Sequence, residues 1–384
     1  MSERVPACEA KPPFPRQDGF LPGGTGLLRG KKRRRERRGA AAHVFRSERF
    51  PAGPGRAADP MPDQRSDMGS DKRDKNISIA RRPVVGIPKA LTYYRYHVLW
   101  ETFFRELDIE TVISPDTDRS VLETGSAKAV DEMCLSAKIY LGHVDRLIGW
   151  CDYIFIPRIV NFGYRRDMCT TFAGMYDIAR NIYRRTDQKF LTANIDLRKG
   201  NREESAYREM AAILGVPDAM AKKAYKTAVK ADSAAWKARI REEEQRAKTD
   251  GTKVMVAGHS YVLEDPYFGE PLMRTLESLG VTVLRADITD RSDAVKRAVK
   301  LSPTMKWQYS LEIVGGLLDK RQADGVIFVS AFPCGPDSMV TEMYLRKNND
   351  LPALNLTLDA QSGTAGLETR LESFVDILNR KKAG

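Results

Sequence analysis

"VIFVSAFPCGPDSMVTE", residues 326–342, is an apolar run that stops abruptly at Phe332-Pro333-Cys334-Gly335-Pro336. Val326–Ala331 has the composition of a strand buried on both faces, as parallel sheets require. Two prolines and a glycine then break the run. Asp337 or Ser338 can cap a new helix, with Glu342 about one turn on. Strand, turn and helix in that order are half of a βαβ unit, so the stretch predicts an α/β protein. It also poses a chemical question, because Cys334 stands after the residues that seek burial have ended. Either it is a thiolate at a helix N-terminus, its pKa lowered by N–H groups and the dipole, or it is a small residue in a tight turn.

Outward from this stretch the same alternation repeats. "PVVGIP" (83–88) reads as a buried strand and turn, and "YHVLWETFFREL" (96–107) as a helix with Leu99, Phe103, Phe104 and Leu107 on one face. "IETVISP" (109–115) is a second strand, a helix leads to Cys134, and "LSAKIYLGHVDRLI" (135–148) is another helix. "CDYIFIPRIV" (151–160) and "KFLTANID" (189–196) are the third and fourth strands. Between Glu203 and Asp250 the sequence is helical and charged, broken once at "LGVPD" (214–218), and reads as a solvated helical connector. A second series follows: "KVMVAGHS" (253–260), "YFGEPLMRTLESLG" (267–280), "VTVLRADI" (281–288), a helical region over 291–320, "GVIFVSAF" (325–332), "LPALNLTLD" (351–359) and a closing helix. The predicted architecture is two Rossmann-like parallel-sheet domains, 81–200 and 251–384, joined by a helical segment over 201–250. Ligands of such sheets gather beyond the carboxyl ends of the strands, where Cys334 lies.

The net charge of +12 is concentrated at one end. Residues 1–82 hold 20 Lys+Arg against 10 Asp+Glu, and the other 302 residues hold 43 against 41. The tail of residues 1–80, with "KKRRRERR" at 31–38, has too few apolar residues to bury and is expected to be disordered. A start at Met61 or Met68 is an alternative origin for the folded part. A polybasic run can contact nucleic acid with steep salt dependence, but the nearly neutral remainder makes nucleic acid a weak partner. "GGTGLLRG" (23–30) follows no strand and is not read as a phosphate loop. No apolar run reaches a membrane span, which takes about 20 residues, and no apolar region of a secretory signal follows the charges.

Five cysteines, an odd number scattered without a signal peptide, predict free thiols and a reducing cytoplasm. Cys8 lies in the tail. Cys151 immediately precedes an apolar strand and reads as a core or strand-edge residue. Cys134, Cys169 and Cys334 share another context, each in a turn and followed by residues able to start a helix. Their separations of 35 and 165 residues match no zinc-finger or ferredoxin motif. Converging from two domains, they could hold an iron–sulfur cluster, or a zinc completed by His143 or His259. No HExxH, GxSxG, Walker A or kinase set is present.

Several stretches resemble the 2-hydroxyacyl-CoA dehydratase superfamily, and more closely its branch of acyl-CoA dehydratase activase-related proteins. They are "VGIPKALTYYRYHVLWETFF", "AVDEMCLSAKIYLGHV", "CDYIFIPRIV", "AFPCGPDSMVTE" and "LNLTLDAQSGTAGLETRLESFVDIL", spanning about residues 83–377, with "EMCLSAK" and "CGPDS" the most specific. The resemblance implies stacked α/β domains that hold one 4Fe–4S cluster through three cysteines. It also implies an electron received from an ATP-hydrolysing activase and removal of water from an acyl-CoA through a ketyl radical. Carried over by motif, Cys134 and Cys334 are ligands, and Cys169 is the third. Three thiolates leave one iron open to an oxygen or a further sulfide. Lys138, His259, Asp337 and Ser338 are candidates for groups beside the cluster or its substrate. The activase's own ATP-binding domain is not visible in the sequence, and three cysteines disfavour a double cubane.

The expectation is therefore a cytoplasmic iron–sulfur protein. It would act in low-potential electron transfer or reductive radical chemistry beside a dehydratase-like subunit and its activase, as a homo- or heterodimer. The alternative is a non-catalytic scaffold or assembly subunit with structural or zinc-bound thiols.

Overall fold

Apolar runs without polar alternation become the central strands of this chain, which are buried along their whole length as parallel sheets require. A computed structural model describes residues 82–319, 323–347, 350–361 and 364–383. The basic tail, with Cys8, the 31–38 block and the two alternative start methionines, lies outside the described residues.

The first half comprises β1 (Val85–Ile87), α1 (Tyr93–Glu106), β2 (Thr111–Ile113), α2 (Arg119–Lys128), α3 (Leu135–Leu147), β3 (Tyr153–Phe155), β4 (Arg158–Asn161), α4 (Thr170–Ile182), β5 (Lys189–Leu191) and β6 (Asn194–Asp196). Two helices follow, α5 (Glu203–Ile213) and the long α6 (Asp218–Arg246). The second half comprises β7 (Lys253–Ala257), α7 (Ser260–Leu263), α8 (Gly269–Ser278), β8 (Thr282–Arg285), α9 (Arg291–Leu301), α10 (Gln308–Leu317), β9 (Gly325–Ala331), α11 (Gly335–Lys347), β10 (Ala353–Leu358) and α12 (Thr364–Ala383).

The fold is α/β with parallel sheets. The two four-stranded sheets are ordered β2-β1-β3-β5 and β10-β9-β7-β8, with every pairing parallel. Counted within its own half, each sheet has its second strand outside its first and its third and fourth on the other side, so the halves share one winding. In that order the chain leaves two adjacent central strands toward opposite faces, which opens a crevice at their carboxyl ends. In the second half the crevice lies between β7 and β9, registered Val254↔Gly325 to Ala257↔Phe328.

The third and fourth strands differ from their prediction, since each is two strands. Pro157 lacks the N–H that a central strand must donate, so the β3–β5 pair bends there. β4 and β6 continue as a separate two-stranded sheet. Ile156 N still bonds Leu191 O at 2.8 Å and Arg158 N bonds Ala193 O at 3.0 Å, which carries the pairing across the bend. The helical region predicted over 291–320 is likewise two helices, interrupted around Pro303.

One hydrophobic core runs through both halves. It includes Val85, Ile87, Phe104 and Ile154 from the first and Val256, Ile327, Leu356 and Phe374 from the second. The connector joins it as well: Ala221, Ala224 and Ala228 give α6 a narrow buried stripe, and the helix packs on α1. Among the described residues no helix is long and apolar enough to cross a membrane.

Candidate cysteine-lined site

Cys134, Cys169 and Cys334 each immediately precede a helix: α3, α4 and α11 respectively. Cys134 and Cys169 have the extended backbone of an N-cap, with φ −65° and ψ 152° and with φ −57° and ψ 141°. Their carbonyls accept the first helical bonds, from Lys138 N at 3.0 Å and Ala173 N at 3.2 Å; Ser338 N reaches the Cys334 carbonyl at 3.2 Å. Each thiol thus leaves the chain where helix N–H groups have no partner inside the helix. The N–H groups of Ser136 and Ala137 turn to the Cys134 sulfur, and that of Asp337 to the Cys334 sulfur.

The three thiols line one cavity of about 40 Å³, room for about three water molecules. His259 and Tyr261 at the start of α7, and Trp307 to Ser310 at the start of α10, complete much of its wall, with Met168 and Phe172. Five helices therefore open onto the cavity by their N-terminal ends. Backbone bonds across the two halves hold the loops in place. Leu135 N donates to Phe332 O at 2.8 Å, Asp167 N to Lys306 O at 2.7 Å and Gln308 N to Asp167 O at 2.9 Å.

Burial opposes the helix ends. It pushes the Cys334 thiol far above the ordinary thiol range, aided by the Asp337 carboxylate and only partly countered by the Asp337 N–H. It raises Cys134 too, against two N–H groups. Desolvation thus outweighs the lowering that a helix terminus predicts for Cys334, and it favours the protonated thiol at both positions.

His259 follows β7 and Cys334 follows β9, so the two flank the crevice between those strands. His259 Nε2 lies 2.7 Å from Asp337 Oδ1, with both side chains buried. The His259 ring stacks on Tyr261 at 4.8 Å with planes 11° apart. Asp337 Oδ2 is buried without a hydrogen-bond partner. The other residues singled out in the sequence lie differently. Lys138 is off the cavity wall, and its Nζ donates to Asp131 O at 2.9 Å. Ser338 is exposed, and its Oγ donates to Cys334 O at 3.0 Å. His143 is fully buried with both ring nitrogens engaged, Nδ1 to Ser114 Oγ at 2.9 Å and Nε2 to Thr117 Oγ1 at 3.0 Å, so it has no lone pair to offer zinc. Cys151 packs against Gly86, and burial pushes its thiol up to about 11.

Among the described residues, no three His, Cys, Asp or Glu side chains gather closely enough to hold a single metal ion. What the chain offers is three sulfur donors spaced around a cavity. An all-thiol donor set is of the soft kind that iron–sulfur clusters and zinc take.

The family model for the CoA enzyme activase uncharacterised domain (DUF2229) matches residues 84–289, more than half of the 384-residue chain. The chain belongs to this family. The matched span of the activase-domain family contains Cys134, Cys169 and His259 and ends before Cys334. No curated protein matches the chain. Two solved structures of the SBP FpvC from Pseudomonas aeruginosa, in complex with Mn2+ and with Ni2+, are each 11% identical and cover 79% of this chain. The matches take in 100% and 98% of those chains, but their TM-scores of 0.27 carry no argument.

Proposed function

We propose that the chain is an iron–sulfur protein of an acyl-CoA dehydratase and activase system, with a 4Fe–4S cluster held by Cys134, Cys169 and Cys334. The observation that carries the reading is that three thiols from both halves line one cavity. The sequence resemblance to 2-hydroxyacyl-CoA dehydratase subunits and membership of the activase-domain family support it. The reaction class proposed is low-potential electron transfer or reductive radical chemistry, with a dehydratase-like subunit and an ATP-dependent activase as partners.

When bound, the cluster supplies one-electron redox chemistry and an iron not ligated by cysteine. The chain's own residues do the rest. The Ser136, Ala137 and Asp337 N–H groups turned to the sulfurs stabilise thiolate charge once the protons have left. Phe172, Tyr261 and Trp307 limit water around the thiols. The Asp337 carboxylate holds His259 by its Nε2, so a proton on that nitrogen is shared with a buried acceptor. Scaffold use with zinc-bound thiols is the weaker reading, because His143 is engaged on both sides and the Nε2 of His259 is taken by Asp337.

The test is anaerobic purification with iron and acid-labile sulfide analysis of the wild type, Cys334→Ala and Cys151→Ala. We expect about four iron and four sulfide per chain in the wild type and in Cys151→Ala, whose thiol lies off the cavity, and loss of both in Cys334→Ala. A colourless wild-type protein that takes up no iron on reconstitution would remove the redox function.

A further inference from the structure

A second cavity, of about 20 Å³, adjoins the cysteine-lined one, and His259 and Tyr309 belong to the walls of both. It has room for about one water molecule and is walled also by Arg95, Trp236, Asp287 and Glu312. Arg95 comes from α1 in the first half, Trp236 from α6 in the connector, and the others from the second half.

Two guanidinium groups meet here with donors to spare. Arg95 gives Nη1 and Nη2 to Glu312, and its Nε is buried without a hydrogen-bond partner. Arg291, the first residue of α9, holds its guanidinium 4.0 Å from the centroid of the Trp236 ring. Its Nε and Nη2 are both buried and have no hydrogen-bond partner among the described residues. That pair of atoms is the edge with which Arg208 holds Asp218, at 2.6 and 2.7 Å, and with which Arg285 holds Asp287, at 2.7 Å for each bond. Through it an arginine grips an anion by two parallel bonds.

The carboxylates in reach are committed elsewhere. Glu312 is held by Arg95 and Asp287 by Arg285. Asp232, one turn before Trp236 on α6, is pushed toward its neutral form by burial and accepts no bond from Nε or Nη2 of Arg291. Burial lowers the pKa of Arg291, and the nearby Arg95 lowers it further, so the two cations oppose each other. The N-terminal end of α9 adds to the positive potential. A water molecule would satisfy the N–H groups but leave the charge, and an unpaired buried charge is costly.

We propose that a small monovalent anion, a halide or a formate-sized carboxylate, binds between Arg95 and Arg291. It would tie the first half, the connector and the second half together beside the cysteine cavity. The site is independent of any cluster on the cysteines, and its occupant is an ion that neutralises the pair of arginines.

The test uses the full chain in potassium gluconate, whose anion is too large for the cavity. Gluconate is replaced stepwise by chloride or by formate at constant ionic strength, so that screening stays fixed. Thermal unfolding is followed, since a ligand of the folded state alone raises the midpoint with its concentration. The wild-type midpoint should rise with chloride, formate or both, and the ion that acts assigns the site to halides or to carboxylates. In Arg291→Gln the apparent affinity should fall about tenfold or more, the worth of a charge-assisted hydrogen bond. The readout is the response to the anion, not the starting midpoint, so lost stacking on Trp236 does not enter it. Arg291→Lys, which keeps the charge without the two-pronged edge, should weaken the response to formate in the same way and serves if the first variant fails to fold. The proposal is overturned if neither anion raises the wild-type midpoint, or if both Arg291 variants respond as the wild type does.

Discussion

At the scale of single residues, burial decides the behaviour of the titratable groups near the site. His143 is the clearest case. Enclosure in α3 holds its pKa down to about 4 from 6.5, and its two hydrogen bonds join Ser114 and Thr117; Thr117 Oγ1 in turn donates to Asp265 Oδ2 at 2.6 Å. A base whose folded pKa is depressed remains neutral while the unfolded chain takes up its proton. Its contribution to stability is therefore intact above pH 6.5 and is lost as pH falls from 6.5 toward 4, by about 3 kcal/mol over the window. Denaturant unfolding of His143→Gln at pH 7 and pH 5 tests this. The variant should lose about 2 kcal/mol less than the wild type between those values, and equal losses would show that His143 is not the titrating group. His143 was legible as a polar residue in a helix, but its commitment to Thr117 and so to Asp265 was not, since that chain of bonds forms only when the halves meet. The cysteines were legible because strand, turn and helix punctuation surrounds Cys334 in the sequence itself. Tyr261 and Trp307 were not, because nothing local shows that the starts of α7 and α10 face the thiols.

At the scale of elements, the position of Cys134 depends on how closely α3 can approach α2. A Cβ at Gly142 would lie 2.0 Å from Val121 O, and one at Gly125 would lie 1.8 Å from Lys138 O, so reciprocal glycines let the two backbones touch. Gly142→Ala must push the helices apart, and overpacking of this kind costs about 1–3 kcal/mol. We expect that loss in chemical denaturation and, on the proposed cluster, reduced iron content, since α3 carries Cys134 at its start. Full iron loading at lower stability would show that the cysteine loop is held by the Leu135–Phe332 bond and not by the helix. The central strands β1, β7 and β9 could be read from the sequence because two-sided burial makes each one a largely continuous apolar run. The misread ones, over 151–160 and 189–196, are instructive: Pro157 signals a break, but apolar residues resume at Ile159, and only the pairing partner shows that the chain has moved to another sheet.

At the scale of the whole molecule, the halves are joined by a charged contact set into their shared core. Arg95 on α1 pairs bidentately with Glu312 on α10, Nη1 to Oε2 at 2.5 Å and Nη2 to Oε1 at 2.9 Å, with the side chains 13% and 3% exposed. Gln308 Nε2 donates to the same carboxylate at 2.6 Å, and the guanidinium lies 4.2 Å from the centroid of the Tyr309 ring, which also lines the cysteine cavity. A buried pair of this kind contributes little relative to an apolar replacement, yet removing one partner strands the other charge in the interior. Arg95→Met should therefore cost about 3–5 kcal/mol, whereas Arg95→Met/Glu312→Gln should recover part of that loss because no bare carboxylate remains. The two variants also separate stability from assembly of the site. If Arg95 positions Tyr309 against the cavity, the double variant regains stability but still takes up less iron than the wild type. If the pair serves only to join the halves, stability and iron content recover together, and denaturation followed beside iron analysis of the same preparations distinguishes the two.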